Sequence, residues 1–449
     1  MRYRNSIIET FSILALIYVN ALGIVGNIVC GTILLIWGFT KVENIYKAFF
    51  LTSILSILHP DVLSGGVPIL FRYLITFAFI GRLTMYKLRA GELSLQPNTI
   101  RFIIFIGINL LFSIAGLFPV VSILKLFLLL FVVYVFFESI YYAGEKVNEF
   151  MYHTFLAVII GSWFIFNRYV YVKEWDIYQS GSSGIFSHPQ TFGIILAVIL
   201  TYFIVKFINE KKYFYGVIIV AAIGLIILSE ARTALLSTVI SVAITFFLYS
   251  TEVLHKVRRL FRMRGIQFVS AIIIILIISF SSVITKSVSD FFKKNRKIET
   301  ASIIENYNSS RGGLIEKSLV AFTQSPFIGS GFGLTFPIEE RRLVRSEYLW
   351  NIPISYSVEP GNLYIAFFAE AGVLGGFALL LLLGYLFKSI YLKKDIVLSS
   401  IFITILLVNL AEACLLAPNG AGGVFLGIIA WAQVKQRERN KINHHGAVY

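Results

Sequence analysis

Apolar runs of roughly 15 to 25 residues, repeated along the whole chain with few charges inside them, constrain this sequence more than any other feature. A backbone in lipid has no water to bond to, so each such run must close its own hydrogen bonds as a helix. A soluble fold is excluded by the same arithmetic. Of 449 residues 57% are hydrophobic and only 14% charged, with a mean hydropathy of +0.81, against roughly a quarter charged in soluble domains. The expected architecture is all-α: a polytopic integral membrane protein.

The candidate spans are 7–22, 23–39, 46–59, 66–83, 100–116, 119–137, 151–168, 188–208, 213–229, 231–250, 266–285, 362–387, 396–416 and 420–434. Several fall short of the ~20 residues a bilayer asks for, so some pair can be re-entrant or merged, and the expected number is about 12 to 14. The first run follows Arg2 and Arg4 and continues to about Phe39, which reads as an uncleaved anchor. Cys30 and Cys414 both lie inside apolar runs, with neither a disulfide framework nor a metal-ligand spacing.

A net charge of +15 would suggest nucleic acid in a soluble chain. Here most of the 39 Lys and Arg fall in alternate short connections, including Lys256 to Arg264 and the basic tail 435–449. By the positive-inside rule both termini are then cytoplasmic, and no nucleic-acid partner is implied. The segment 286–361 is the exception: it is basic yet must lie outside, and long loops escape that rule. Too long for a structureless connector, it divides the chain into helices over 1–285, an external loop over 286–361 and helices over 362–434. Within it, Arg311 to Gln324 has helix-like apolar spacing after Asn308-Ser309-Ser310, and Pro326 with Gly329, Gly331 and Gly333 ends the pattern. A surface helix over the outer mouth of the bundle is expected.

Charges within or at the rim of spans cost about 2.5 to 3.5 kcal/mol each on insertion scales and are functional candidates by default. They are Arg72, Lys125, Glu230, Arg232, Glu370 and Glu412, with Arg311, Glu359 and His188 at loop edges. Glu230 and Arg232 sit where two spans meet with almost no loop. Two readings are open there: a structural ion pair, or a guanidinium fork that clamps phosphate oxygens. The run Gly329-Ser330-Gly331-Phe332-Gly333 lacks the strand before and the GK[ST] after that a nucleotide loop needs, and it reads as a turn. Glu359, at the mouth of a span, is either an interfacial carboxylate or a general base tuned by burial. His188 is either a polar group at a helix start or a proton carrier.

The order of these motifs carries a resemblance. Ser187-His188-Pro189-Gln190-Thr191-Phe192-Gly193 opens one span, and Ser229-Glu230-Ala231-Arg232-Thr233-Ala234 opens a later one. Then come the large loop with Arg311 and Pro326 to Gly333, and Gly361-Asn362-Leu363-Tyr364 leading to Glu370-Ala371-Gly372. Over 188–387 the chain resembles the superfamily of O-antigen ligases and of O-antigen, capsule and exopolysaccharide repeat-unit polymerases. The resemblance implies a glycosyltransferase of the GT-C type, independent of metal and cofactor. Its donor would be an undecaprenyl-diphosphate-linked oligosaccharide, used on the outer face of the bacterial inner membrane. Arginines matching Arg232 and Arg311 are associated there with the donor pyrophosphate. The ligases carry a histidine before the Asn-Leu of the loop-to-helix junction, whereas this chain has Glu359-Pro360-Gly361. That departure points to a polymerase with Glu359 as base and His188 as the second candidate.

The expected reaction joins lipid-linked repeat units and releases undecaprenyl diphosphate. A chain-length regulator and a flippase are the expected protein partners. Three alternatives compete: a ligase transferring glycan to another acceptor, a lipid-linked glycan transporter, and an envelope scaffold. A transporter would be expected to place its charges along a path between leaflets, and a scaffold leaves Arg232 unexplained.

Overall fold

The computed structural model describes residues 2–58, 67–92, 94–116, 118–165, 181–250, 312–335, 343–346, 352–356, 361–418 and 420–433. These residues form α1 (Arg2–Asn20), α2 (Ile24–Thr40), α3 (Val42–Leu55), α4 (Val67–Arg89), α5 (Pro97–Ile114), α6 (Pro119–Ala143) and α7 (Lys146–Ile160). A π-helical turn, Gly161–Ile165, extends α7. Then follow α8 (Pro189–Glu210), α9 (Tyr213–Ser229), α10 (Arg232–Leu248), α11 (Gly313–Gln324), α12 (Leu363–Tyr391), α13 (Ile396–Val408) and α14 (Ala421–Trp431). Thirteen of the expected spans coincide with helices, and the expected span 266–285 lies outside the described residues. Among the described residues α5, α6, α8 and α12 are each long and apolar enough to cross a membrane, beside shorter apolar helices that include α2, α9, α10, α13 and α14. The chain is a polytopic helical membrane protein.

Helix starts follow local chemistry. Pro97, Pro119 and Pro189 occupy the first turns of α5, α6 and α8, where a missing N–H costs nothing. Asp395 caps α13 by accepting from the Val397 and Leu398 N–H groups. Small residues set helix approach: a Cβ at Gly427 would meet the Phe50 ring at 2.6 Å and Phe136 at 2.9 Å, and this closeness lets the Tyr46 hydroxyl donate to the Gly427 carbonyl at 2.8 Å. A buried charge pair, Lys87 with Glu138 at 2.6 Å, also binds the Ser94 carbonyl and the Gln96 N–H. It ties down the connection between α4 and α5 with its hydrogen-bonding capacity used.

Two departures from the expected spans shape one end of the bundle. The first is α13, which stops at Val408 instead of running to 416. Asn409, fully buried, replaces the next turn: its Oδ1 accepts from the Cys414 and Leu415 N–H groups, and its Nδ2 donates to the Ile405 carbonyl. The second is a break in α12 at Gly372, where φ is +64°, a region open to glycine and strained for other residues. The freed groups do not stay orphaned. The Ala369 and Glu370 carbonyls accept from the Ser330 and Gly331 N–H groups at 3.0 and 2.9 Å, and the Val373 N–H donates to the Pro326 carbonyl at 2.8 Å. A broken helix inside a membrane protein needs such compensation.

The long loop thus enters the bundle. Its expected helix is α11, which packs along α12 with Phe322 against Phe368. The loop also holds a feature hydropathy did not suggest, an antiparallel hairpin of β1 (Leu343–Ser346) and β2 (Ile352–Tyr356). The glycine run is a turn, as expected, and it is wedged against α5, α6 and α12: the Phe332 N–H reaches the Ser113 hydroxyl, and the Lys125 ammonium donates to the Gly333 carbonyl at 3.2 Å. The Glu370 carboxylate accepts from the Gly333 N–H and the Thr335 hydroxyl. Lys125 and Glu370 are therefore committed to holding the loop.

Candidate functional site

The end of the bundle from which the long loop leaves, here the loop end, gathers the described candidate residues. α9 and α10 are joined by two residues, Glu230 and Ala231. Glu230 takes a left-handed conformation with φ +54°, which is uncommon and costly for a residue with a Cβ. The turn closes through the Arg232 N–H and the Glu230 carbonyl at 3.0 Å. Arg232 becomes the first residue of α10, half-buried, with exposed Glu230 as an electrostatic neighbour. Both sequence readings of this pair remain compatible with that arrangement.

Beside this turn lies the segment 181–188. The Ser182 N–H donates to the Leu228 carbonyl at 2.7 Å, and the Ser187 N–H to the Ile57 carbonyl at 2.9 Å, beside a bridge between Leu58 and Phe186. The segment thus joins the ends of α3 and α9. It ends at His188, which caps α8: Nδ1 accepts from the Gln190 N–H at 3.2 Å. In the neutral ring that bond leaves the proton on Nε2. Ser183, buried in the same segment, has a hydroxyl with no hydrogen-bond partner among the described residues.

α8 and α10 run parallel, with Gly193 of α8 so close to Ala231 that any Cβ would collide with it. Lower down, the Thr238 hydroxyl donates to the Ala197 carbonyl at 3.3 Å. Two helix N-termini, one capped by His188 and the other beginning at Arg232, therefore open side by side. Each carries the positive end of a helix dipole, which favours an anion, although several first-turn N–H groups are already engaged, that of Gln190 by His188 and those of Arg232 and Ala234 by the Glu230 and Ala231 carbonyls.

The floor beneath them is set by α13, which runs antiparallel to both. Thr404, near the loop end of α13, meets Thr201 and Ser241 halfway down α8 and α10 at 2.9 and 2.6 Å. At 1.5 Å per residue that register ends α13 roughly 10 Å below the start of α8. Asn362 ties α12 to the stretch after α13, capping α12 through the Tyr364 and Ile365 N–H groups and donating to the Leu410 carbonyl at 2.9 Å. The Leu363 N–H donates to the Asn409 carbonyl. Glu412 lies buried in the non-helical stretch nearby.

The structure thus brings His188 and Arg232 to one rim and joins the Gly361-Asn362 start of α12 to the floor. Arg311 and Glu359 lie outside the described residues, Arg311 just before α11 and Glu359 two positions before Gly361. Sequence reasoning missed Asn409 as the anchor of the floor; a polar residue at the end of an apolar run was its one signal. Among the described residues no three His, Cys, Asp or Glu side chains gather as metal ligands.

No curated protein matches the chain at a significant level. Residues 217–380, from α9 through the break in α12, match the model of the O-antigen ligase family, a kind of membrane enzyme that transfers glycans and the superfamily that the motifs resemble.

Proposed function

We propose that the protein polymerises undecaprenyl-diphosphate-linked oligosaccharide repeat units for a surface polysaccharide, working at the outer face of the bacterial inner membrane with both termini cytoplasmic. The observation that carries this reading is that α8 and α10 start side by side and in parallel, placing His188 and Arg232 at one end of the bundle.

The hydroxyl at the non-reducing end of one repeat unit attacks the anomeric carbon of the growing chain. A carbon–oxygen bond forms, the bond from that carbon to the diphosphate breaks, and its electron pair leaves with undecaprenyl diphosphate. Charge develops on the diphosphate, where fixed donors in a poorly hydrated mouth stabilise it best. Arg232, Arg311 and the two N-termini take that role. Glu359 accepts the proton of the attacking hydroxyl. His188 contributes chiefly as a donor, because its Nδ1 lone pair is engaged by the Gln190 N–H. A chain-length regulator and a flippase are proposed as partners.

The ligase reading is favoured by the name of the matching family, and the polymerase reading by Glu359-Pro360-Gly361 in place of a histidine. Purified protein supplied with lipid-linked repeat units decides between them. A ladder of extended products supports polymerisation, and transfer only to a different acceptor overturns it in favour of ligation.

A further inference from the structure

The loop helix α11 packs along α12, and among the described helices it packs along no other to a comparable extent. It lies on the flank of that one helix. Ser318 and Ala321, both buried, mark the face turned to α12. Next to that face Ile315, Leu319 and Phe322, at spacings of one helical turn, form an apolar strip. Leu319 on it is 49% exposed. The remaining side is polar, with Glu316, Thr323 and Gln324 exposed and Val320 as its apolar exception. A loop helix resting on a single partner needs one buried face and one wet face. A further apolar strip, partly exposed between the two, is what a helix lying in a membrane interface adds.

That strip runs into a surface of α12 that faces lipid. The Phe322 ring meets the Phe368 ring at 6.4 Å, and Phe368 meets Phe377 at 6.2 Å. Phe368 crosses the break in α12 to lie over Gly376, where an added Cβ would meet it at 2.4 Å. Phe377 is exposed together with Leu374 and Leu381, one stripe along a helix long and apolar enough to cross a membrane. Phe327, 71% exposed, follows α11 and stands at the break, its carbonyl against Gly372.

The break also sets the depth. From Gly372 to its end at Tyr391, α12 has about 20 residues, or about 30 Å of helix, which is one hydrocarbon thickness. Gly372 therefore falls at the membrane surface on the loop end, and Phe327 and the end of α11 fall there with it.

We propose that α11 is an interfacial helix whose partner is the lipid of the leaflet at the loop end, with Ile315, Leu319, Phe322 and Phe327 resting in that leaflet. This depth does not depend on the polymerase reading. Its use does: Arg311 is two residues before Gly313 in the chain, within about 7 Å of the helix start. A helix held at the interface keeps that arginine near the headgroup layer, where the diphosphate of a lipid-linked donor lies.

The test uses the full-length protein in nanodiscs of phosphatidylethanolamine and phosphatidylglycerol, with Cys30 and Cys414 replaced by alanine. Single cysteines at Leu319, Phe327, Thr323 and Phe377 carry spin labels, and thermal unfolding checks that each labelled protein is folded. Labels at Leu319 and Phe327 should collide with oxygen, as at Phe377, and be shielded from a water-soluble nickel chelate to which Thr323 stays open. Nickel collisions at Leu319 as frequent as at Thr323 place the helix in water and overturn the proposal. Shielding of Leu319 from both reagents places protein over the strip and overturns it as well.

The use is read from kinetics. Leu319→Gln combined with Phe327→Gln should raise the KM for the lipid-linked donor about 10-fold, with a smaller change in kcat. An unchanged KM overturns the use and leaves the depth to the labels. Wild type that joins no repeat units sinks the polymerase reading, and the label result then decides the depth without it.

Discussion

The Thr404 hydroxyl of α13 lies 2.9 Å from that of Thr201 and 2.6 Å from that of Ser241. This three-way contact sets how far α13 reaches toward the loop end. The helix stops at Val408 and the chain continues non-helically instead of running as a helix to 416. The buried Asn409 side chain instead takes up the N–H groups of Cys414 and Leu415, which makes the early stop tolerable in a low-dielectric setting.

Replacing Arg232 or Arg311 by Ala should abolish turnover while the protein stays folded and inserted. The loss expected on removing such a donor is about 10²- to 10³-fold. Lysine should rescue poorly, since a point charge lacks the bidentate fork. The check is product formation per mole of folded, membrane-inserted protein. A normal rate for Arg232→Ala would return Glu230 and Arg232 to a purely structural pair.

Glu359→Gln keeps the shape and loses the basicity, so it should slow chain extension by about 10²- to 10⁴-fold with little change in donor binding. His188→Ala should slow it modestly, since the ring acts as a cap and donor. Single-turnover extension at saturating donor compares the two side by side. A normal Glu359→Gln enzyme beside a dead His188→Ala would move the base role to His188.

Gly372→Ala should destabilise the protein. The position has φ +64°, and an added Cβ would collide with the Phe327 carbonyl. Strain of this kind costs about 1 to 3 kcal/mol before the collision is counted. Both the loop turn at 326–335 and the start of α12 should loosen, so the unfolding temperature in detergent and the extension rate should fall together. Gly384→Ala, in open space on the same helix, is the comparison expected to leave both nearly unchanged.

Orientation is tested by cysteines at Ser302 and Ser346. An impermeant thiol reagent should label both in intact spheroplasts, whereas a cysteine between 256 and 264 should react only after the membrane is opened. The reverse pattern would invert the topology and remove the active site from the outer face.

Hydropathy alone located the membrane helices, because burying a backbone in lipid demands long apolar runs and leaves little choice of conformation. The candidate rim was also legible: Glu230 and Arg232 stand out because a charge between two apolar runs is costly, and α11 shows in its apolar spacing. Helix register, the depth at which a helix stops and the pairing of a broken helix with a distant turn leave no such local trace. Thr201, Ser241 and Thr404 are ordinary polar residues in apolar runs until the three helices are side by side. Gly372 looks like any glycine of a membrane helix until the Pro326 carbonyl meets the Val373 N–H. Long apolar runs with a few costly charges at their ends were enough to specify a membrane helix bundle with a charged mouth. That α8 and α10 start side by side and parallel at that mouth was settled by tertiary packing, because hydrogen bonds between residues far apart in sequence form only once those helices meet.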